Sequence, residues 1–214
     1  MSQVLKYIPR VEFDYQTLQD ALADYARPRD KISDLLRKKE IVRIKKGLYI
    51  LGDEHRKRPY SRELLANLIY GPSYISLEYA LAYHGLIPER VEMLTSTTSG
   101  RSKSFDTPVG KFTYWSVPVK YYRVGVDLIE AGDGLSFLMA TPEKALADKV
   151  LRDWGSNIRK AGEMDAYLLE DLRIDEEDLK KLKVNRIDEI SHYTRSRKVA
   201  LLLTSVRKIK GAGK

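Results

Sequence analysis

The stretch Arg27–Leu51, RPRDKISDLLRKKEIVRIKKGLYIL, decides how this chain is read. It opens with Arg27-Pro28-Arg29, and a proline in the first helical turn loses no hydrogen bond, because its missing N–H would have no intrahelical acceptor. Ile32, Leu35 and Leu36 fall at i, i+3, i+4 and share one face of a helix, with Arg29, Lys31, Arg37 and Lys38 on or beside the opposite face. Glu40–Leu51 then alternates and is β-branched at first. Lys46-Gly47 marks a turn, where glycine supplies a backbone conformation strained for other residues. A hairpin there brings Arg43, Lys45 and Lys46 near its tip. A basic helix running into a basic hairpin reads as the recognition helix and wing of a winged helix-turn-helix. For either patch alone, a merely solvated lysine-rich surface is the competing reading.

Just upstream, Phe13–Ala26 carries Leu18, Leu22 and Tyr25 at i, i+4, i+7, the mark of a helix packed on one side, with Asp14 or Thr17 as its cap. The break at Arg27-Pro28 gives a short turn into the basic helix, because a residue preceding proline avoids helical geometry. Two helices about a tight turn form the core of a helix-turn-helix.

Charge supports the same focus. The 214 residues carry a net charge of +8, but the excess is local. Nine basic residues stand against three acidic ones between Arg27 and Lys46, and seven against none from Arg195 to Lys214; the remainder is net acidic. Such patches suit a polyanion, of which nucleic acid is the commonest in a cell. There is no cysteine, so disulfides and thiolate-bound zinc are excluded. The first residues lack the apolar run of a signal peptide, and no stretch reaches the roughly 18 apolar residues of a membrane span. A soluble, cytoplasmic protein with no membrane partner is expected.

Beyond the hairpin, Gly52–Tyr60 reads as a linker whose run Arg56-Lys57-Arg58 either touches phosphate or is an ordinary exposed loop. Ser61 caps a helix carrying Leu64, Leu65, Leu68 and Ile69, which ends at Gly71-Pro72. Ser76 is placed to start the next, with Leu77, Ala80 and Leu81 inward and Gly85 at its end. From Val91 to Val124 the period drops toward two, with Tyr114, Trp115, Tyr121 and Tyr122 in expected strands. Leu135–Ala140 is a further strand. Thr141-Pro142-Glu143 then opens a helix in the order cap, proline, acid. The rest is helical: an acidic segment, Glu163–Lys180, and a basic one, Arg195–Ile209, with Val199, Leu202, Leu203 and Val206 on one face. Their opposite charges suggest mutual compensation.

Little in the chain points to catalysis. His55, His84 and His192 are scattered, so no metal site is expected, and there is neither GxxxxGK[ST] nor GxGxxG to cradle a phosphate. No cofactor is expected. Ser99–Ser104, small, polar and basic, reads as a hairpin loop. Glu143-Lys144 with Asp127 and Asp133 fits the carboxylate-plus-lysine pattern of metal-dependent nucleases only loosely, since such sites need carboxylates converging on a metal.

Three segments in order, IVRIKKGLYIL, YISLEYALAYHGLIPE and ATPEKALADKV, resemble the AbiEi family of antitoxins and transcriptional regulators of abortive-infection operons. The likeness runs from about Tyr15 to Val150. It implies a bacterial autorepressor that binds double-stranded DNA at inverted repeats in its own promoter. It also implies an antitoxin that counteracts a nucleotidyltransferase-like toxin in a type IV system, a functional partner described without a stable complex; a homodimer is left open. Carried over, the DNA-facing residues are Arg27, Arg29, Lys31, Arg43, Lys45 and Lys46. The expected fold is α+β, with a winged helix-turn-helix over residues 1–55. Over 56–214 follows a mixed domain with a small, mostly antiparallel sheet and a helical C-terminal region. The alternatives are a stand-alone regulator with a dimerising or sensing C-terminal domain, and a metal-dependent nuclease.

Overall fold

The computed structural model describes residues 3–153 and 158–211. The chain is α+β, built on two sheets. A 3-10 turn, Gln3–Tyr7, precedes β1 (Glu12–Asp14), α1 (Tyr15–Ala21), α2 (Pro28–Arg37), β2 (Ile41–Lys45) and β3 (Leu48–Leu51). These strands form an antiparallel sheet in the order β1-β3-β2. After a short 3-10 turn at Asp53–His55 come α3 (Arg62–Ile69), β4 (Ser73–Ile75), α4 (Leu77–Tyr83), β5 (Leu94–Thr98), β6 (Lys103–Thr107) and β7 (Gly110–Ser116). Then follow α5 (Val119–Tyr122), β8 (Val126–Glu130), β9 (Ser136–Ala140) and α6 (Pro142–Arg152). The last helices are α7 (Ala161–Ala166), continued by a π-turn at Tyr167–Asp171, α8 (Glu176–Lys181), α9 (Val184–Thr194) and α10 (Arg197–Gly211).

Local chemistry explains most boundaries. Asp14 caps α1 by accepting from the Thr17 amide at 2.8 Å, and Pro28 sits in the first turn of α2. Gly47 takes φ +88° at the β2–β3 turn, a region that favours glycine. Gly52 closes the hairpin base so tightly that a Cβ would lie 2.0 Å from the Lys39 carbonyl oxygen. Ser61 caps α3 through the Leu64 amide, and Thr141 caps α6 through the Lys144 amide.

The small sheet is buried on both faces. Phe13, Ile41, Tyr49 and Leu51 pack with Leu18, Leu22, Ile32 and Leu35 of α1 and α2. The alternate residues Ile44, Leu48 and Ile50 belong to the larger core, with Leu65, Ile69 and Tyr114. The two cores therefore share one sheet as a wall. A second join is the buried Glu12 of β1, whose carboxylate takes a bidentate grip from Arg58, at 3.0 and 2.7 Å, and the Ser61 amide at 2.6 Å.

The large sheet has six strands in the order β6-β7-β5-β4-β9-β8. It is mixed: three of its five pairings are antiparallel, as expected of the majority, while β5–β7 and β4–β9 run parallel. On one face, Tyr114 donates to the Ala66 carbonyl of α3; on the other, Tyr74 reaches α6. Around α6 pack the C-terminal helices, and α10 buries Val199, Leu202, Leu203 and Val206, the face expected from their spacing.

Three expectations are corrected. Tyr25 is exposed beyond the end of α1, with the Lys31 ammonium over its ring, because Leu22 already closes the apolar face. Leu68 is exposed and Ala66 buried in its place, since α3 presents Leu65, Ala66 and Ile69 to the core. Tyr121 and Tyr122 lie on the short helix α5, where Pro118 breaks the strand pattern.

Candidate nucleic-acid interface and a buried ionic centre

The sequence-predicted cations of the N-terminal part fall into two groups. Arg27, Arg29, Arg43 and Lys46 are exposed and, among the described residues, have no ion-pair partner. Arg27 and Arg29 mark the start of α2, Arg43 projects from β2, and Lys46 lies in the turn before Gly47. Lys39, just past α2 and outside the predicted set, is likewise exposed and without an ion pair among the described residues; its signal was only its place in the run Arg37-Lys38-Lys39. Arg37 and Lys38 are engaged by Asp34 at 2.6 and 2.9 Å, and Asp30 in the first turn of α2 adds an exposed acid.

The other two predicted residues are turned elsewhere. Lys31 is half-buried, 4.0 Å from Asp34 and 5.8 Å from the Tyr25 ring centroid. Lys45 is half-buried and donates to the Ile69 carbonyl at the end of α3, and burial lowers its pKa. Strict alternation would put Lys45 beside Arg43. Instead Arg43 pairs with Tyr49 and Lys45 with Leu48, so two steps on β2 match one on β3. That bulge rotates Lys45 onto the side facing α3.

The linker run is largely structural. Arg56 pairs with Asp53 and covers the Tyr60 ring, Arg58 holds Glu12, and only Lys57 is exposed without an ion pair among the described residues. The basic tail is mostly satisfied as well. Lys208 meets Asp165 of the acidic segment at 2.7 Å and Arg207 meets Asp188 at 3.2 Å, while Lys210 donates to the Leu182 carbonyl.

A second polar constellation lies inside the large domain. Asp148 of α6 is buried, and its Oδ2 accepts from Ser76 at 2.6 Å, Tyr74 at 3.0 Å and Thr97 at 3.4 Å. Its Oδ1 accepts from Tyr121 at 2.5 Å and lies 3.6 Å from the Lys144 Nζ. Lys144 has no exposed surface. Its ammonium donates to the Tyr121 carbonyl at 2.9 Å and stands 2.8 Å from the Tyr121 ring centroid. Burial pulls the Lys144 pKa down to about 8, with Asp148 opposing the shift. Burial, then the Asp148 charge, pushes the Tyr74 and Tyr121 hydroxyls well above their ordinary range. Ser76 starts α4 but donates to Asp148 rather than capping the helix with its side chain. Every member is enclosed and partnered, the arrangement of a packing centre.

Of the nuclease-like pattern, Glu143 and Asp127 both face the cation Arg186, while Lys144 faces Asp148 instead. The buried Glu143 accepts from the Lys183 amide at 2.8 Å and lies 3.9 Å from Arg186. Asp127 also meets Arg186, at 3.6 Å, and Asp133 belongs to the β8–β9 turn. Among the described residues no three His, Cys, Asp or Glu side chains are grouped to hold a metal ion, and no helix is long and apolar enough to cross a membrane. His84 ends α4 with its Nε2 2.8 Å from the Ala140 carbonyl oxygen. Sequence reasoning had missed Asp148. Its signal was a lysine and an aspartate at i, i+4 flanking Ala145-Leu146-Ala147, which buries both charged groups once the helix is covered on all sides. Neither a known family model nor a curated protein matches the chain.

Proposed function

We propose that the chain is a DNA-binding transcriptional autorepressor, with α1, α2 and the β2–β3 hairpin acting as a winged helix-turn-helix. We further propose that it serves as the antitoxin of a type IV, AbiEi-like operon. The observation that carries the DNA reading is the set of unpaired cations Arg27, Arg29, Lys39, Arg43 and Lys46. All are exposed, and they are shared between the start of one helix, its end and the hairpin that follows. A helix whose first turn enters the major groove, flanked by a basic wing on phosphate, uses cations in such an arrangement. Asp34 tethers Arg37 and Lys38, which leaves the N-terminal end of α2 as the part that reads bases. Lys45 is left out of this interface because its ammonium is committed to α3. The antitoxin part rests on the resemblance of YISLEYALAYHGLIPE and ATPEKALADKV, which form β4–α4 and α6 and contribute Tyr74, Ser76, Lys144 and Asp148 to the buried centre.

The test is a gel shift of the full chain on the DNA upstream of its own gene, over a salt series. Affinity should fall steeply with salt. Arg29→Ala should weaken the specific site more than random DNA, whereas a combined Arg43→Ala, Lys46→Ala variant should weaken both alike. Equal losses for Arg29→Ala on both DNAs would contradict the base-reading role. Co-expression with the neighbouring gene product tests the antitoxin role separately, by rescue of growth.

A further inference from the structure

A cavity of about 540 Å³ lies against the buried centre, between α4, the end of β7 and the last turn of α6. Its walls include Leu77, Val117 and Leu151, and Tyr121 and Asp148 lie at its floor. The volume lies within the range that takes drug-sized organic molecules. At its edge the Arg152 guanidinium stacks on the half-exposed Trp115, with Cζ 3.2 Å from the ring centroid.

The charge balance of this cavity is one-sided. Asp148 is saturated by Lys144 and four hydroxyls. Arg152 has neither a carboxylate nor a hydrogen-bond acceptor among the described residues; its contact is the indole face. The adjoining cavity, which Arg152 also lines, carries Glu78, Glu89, Glu92 and Asp171; Glu78 pairs with Lys149, Glu89 with Arg173 and Glu92 with Arg90, and among the described residues none of the four forms an ion pair with Arg152. A planar guanidinium held by stacking, with its N–H edge unused, is set to take a carboxylate bidentately. The rest of the lining is mainly apolar, with hydroxyls at Ser102, Ser116 and Thr194.

We propose that this cavity binds a small organic monoanion, a planar apolar body carrying one carboxylate, with the carboxylate on Arg152 and the body lying between Leu77, Val117 and Leu151. One unpaired cation matches one negative charge, and the apolar walls disfavour a polyphosphate, whose further charges would find no partner. The site is independent of the DNA reading above.

Isothermal titration of the full chain with 2-naphthoate, with the uncharged 2-naphthamide and with pyrophosphate tests it. Naphthoate should bind at least tenfold more tightly than the amide, and pyrophosphate should not compete. Arg152→Gln should bring naphthoate to the level of the amide, and Val117→Phe, which fills the cavity, should abolish both. Thermal unfolding of each variant shows that the fold is kept; should Arg152→Gln fail it, Arg152→Lys, which keeps the charge but not the fork, should still lose several-fold. No naphthoate binding at millimolar concentration, equal affinity for acid and amide, or unchanged binding in Arg152→Gln would overturn the proposal.

Discussion

At the scale of single residues, the Lys144–Asp148 pair makes the sharpest demands. A buried charge stripped of its partner is far costlier than a buried pair, and such a loss amounts to about 3–5 kcal/mol. Asp148→Ala leaves the Lys144 ammonium, Tyr74, Ser76 and Tyr121 facing no carboxylate. It should lower unfolding stability by that order in a urea titration, and more than Lys144→Met, which leaves Asp148 with its hydroxyl donors. The pair also predicts a pH dependence. Lys144 titrates at about 8 in the fold, against 10.5 for a free lysine. Between these values the unfolded chain holds the proton that the folded one has released, so stability rises with pH there, by at most about 1.4 kcal/mol per unit. Tyr74 and Tyr121 act in the opposite sense above about pH 10, because the fold keeps their protons while the unfolded chain loses them. The stability of the native chain relative to Lys144→Met should therefore grow from pH 8 to 10. A flat difference would mean that Lys144 is not depressed.

At the scale of elements, the β2–β3 hairpin shows how far sequence reading reaches. Its existence, its turn at Lys46-Gly47 and the outward place of Arg43 followed from alternation and turn chemistry. The place of Lys45 did not. Alternation has period two, and a bulge breaks it without any residue type that announces it. Helix caps at Asp14, Ser61 and Thr141 were legible because capping is local. The helix at Tyr121 had a local signal in Pro118, outweighed by the aromatic, strand-like run around it. The exposure of Leu68 was not legible, since it depends on which neighbour arrives. The same limit hid Asp148, whose partners come from Tyr74, Ser76, Thr97 and Tyr121, far away in the chain. The bulge separates two adjacent lysines by role. Lys46→Ala should reduce the salt slope of DNA binding by about one and leave stability unchanged. Lys45→Ala should leave the slope unchanged and cost about 1 kcal/mol through the orphaned Ile69 carbonyl. If both variants altered the slope equally, the hairpin would be presenting both side chains to DNA.

At the scale of the whole molecule, the small sheet does what a linker cannot. A chain of two domains joined by Gly52–Tyr60 would unfold in two steps, each core melting alone. Here β3 is buried on both faces: Tyr49 and Leu51 look to α1 and α2, and Leu48 and Ile50 to the larger core. Glu12 fastens β1 to Arg58 and to the cap of α3. Unfolding either part strips the other of apolar cover, so the two should melt together. The prediction is one calorimetric transition for the full chain, with equal calorimetric and van't Hoff enthalpies. Leu18→Ala, at the heart of the small core, and Leu146→Ala, deep in the large one, should each lower the midpoint of that same transition, by about 2–5 kcal/mol in stability. Glu12→Ala removes the polar join without touching either core. If it split the transition in two, the shared apolar wall alone would be too weak to couple the parts, and coupling would rest on the Glu12–Arg58 grip. Two transitions already present in the native chain would refute the shared wall. On the proposed DNA-binding reading the β2–β3 hairpin is the wing; the small core seats it against α2, and the large core backs its other face. On that reading Ile50→Ala, which removes a buried side chain and no cation, should weaken binding to the proposed operator more than to random DNA, because a loosened wing still finds phosphate but no longer fixes the register of α2.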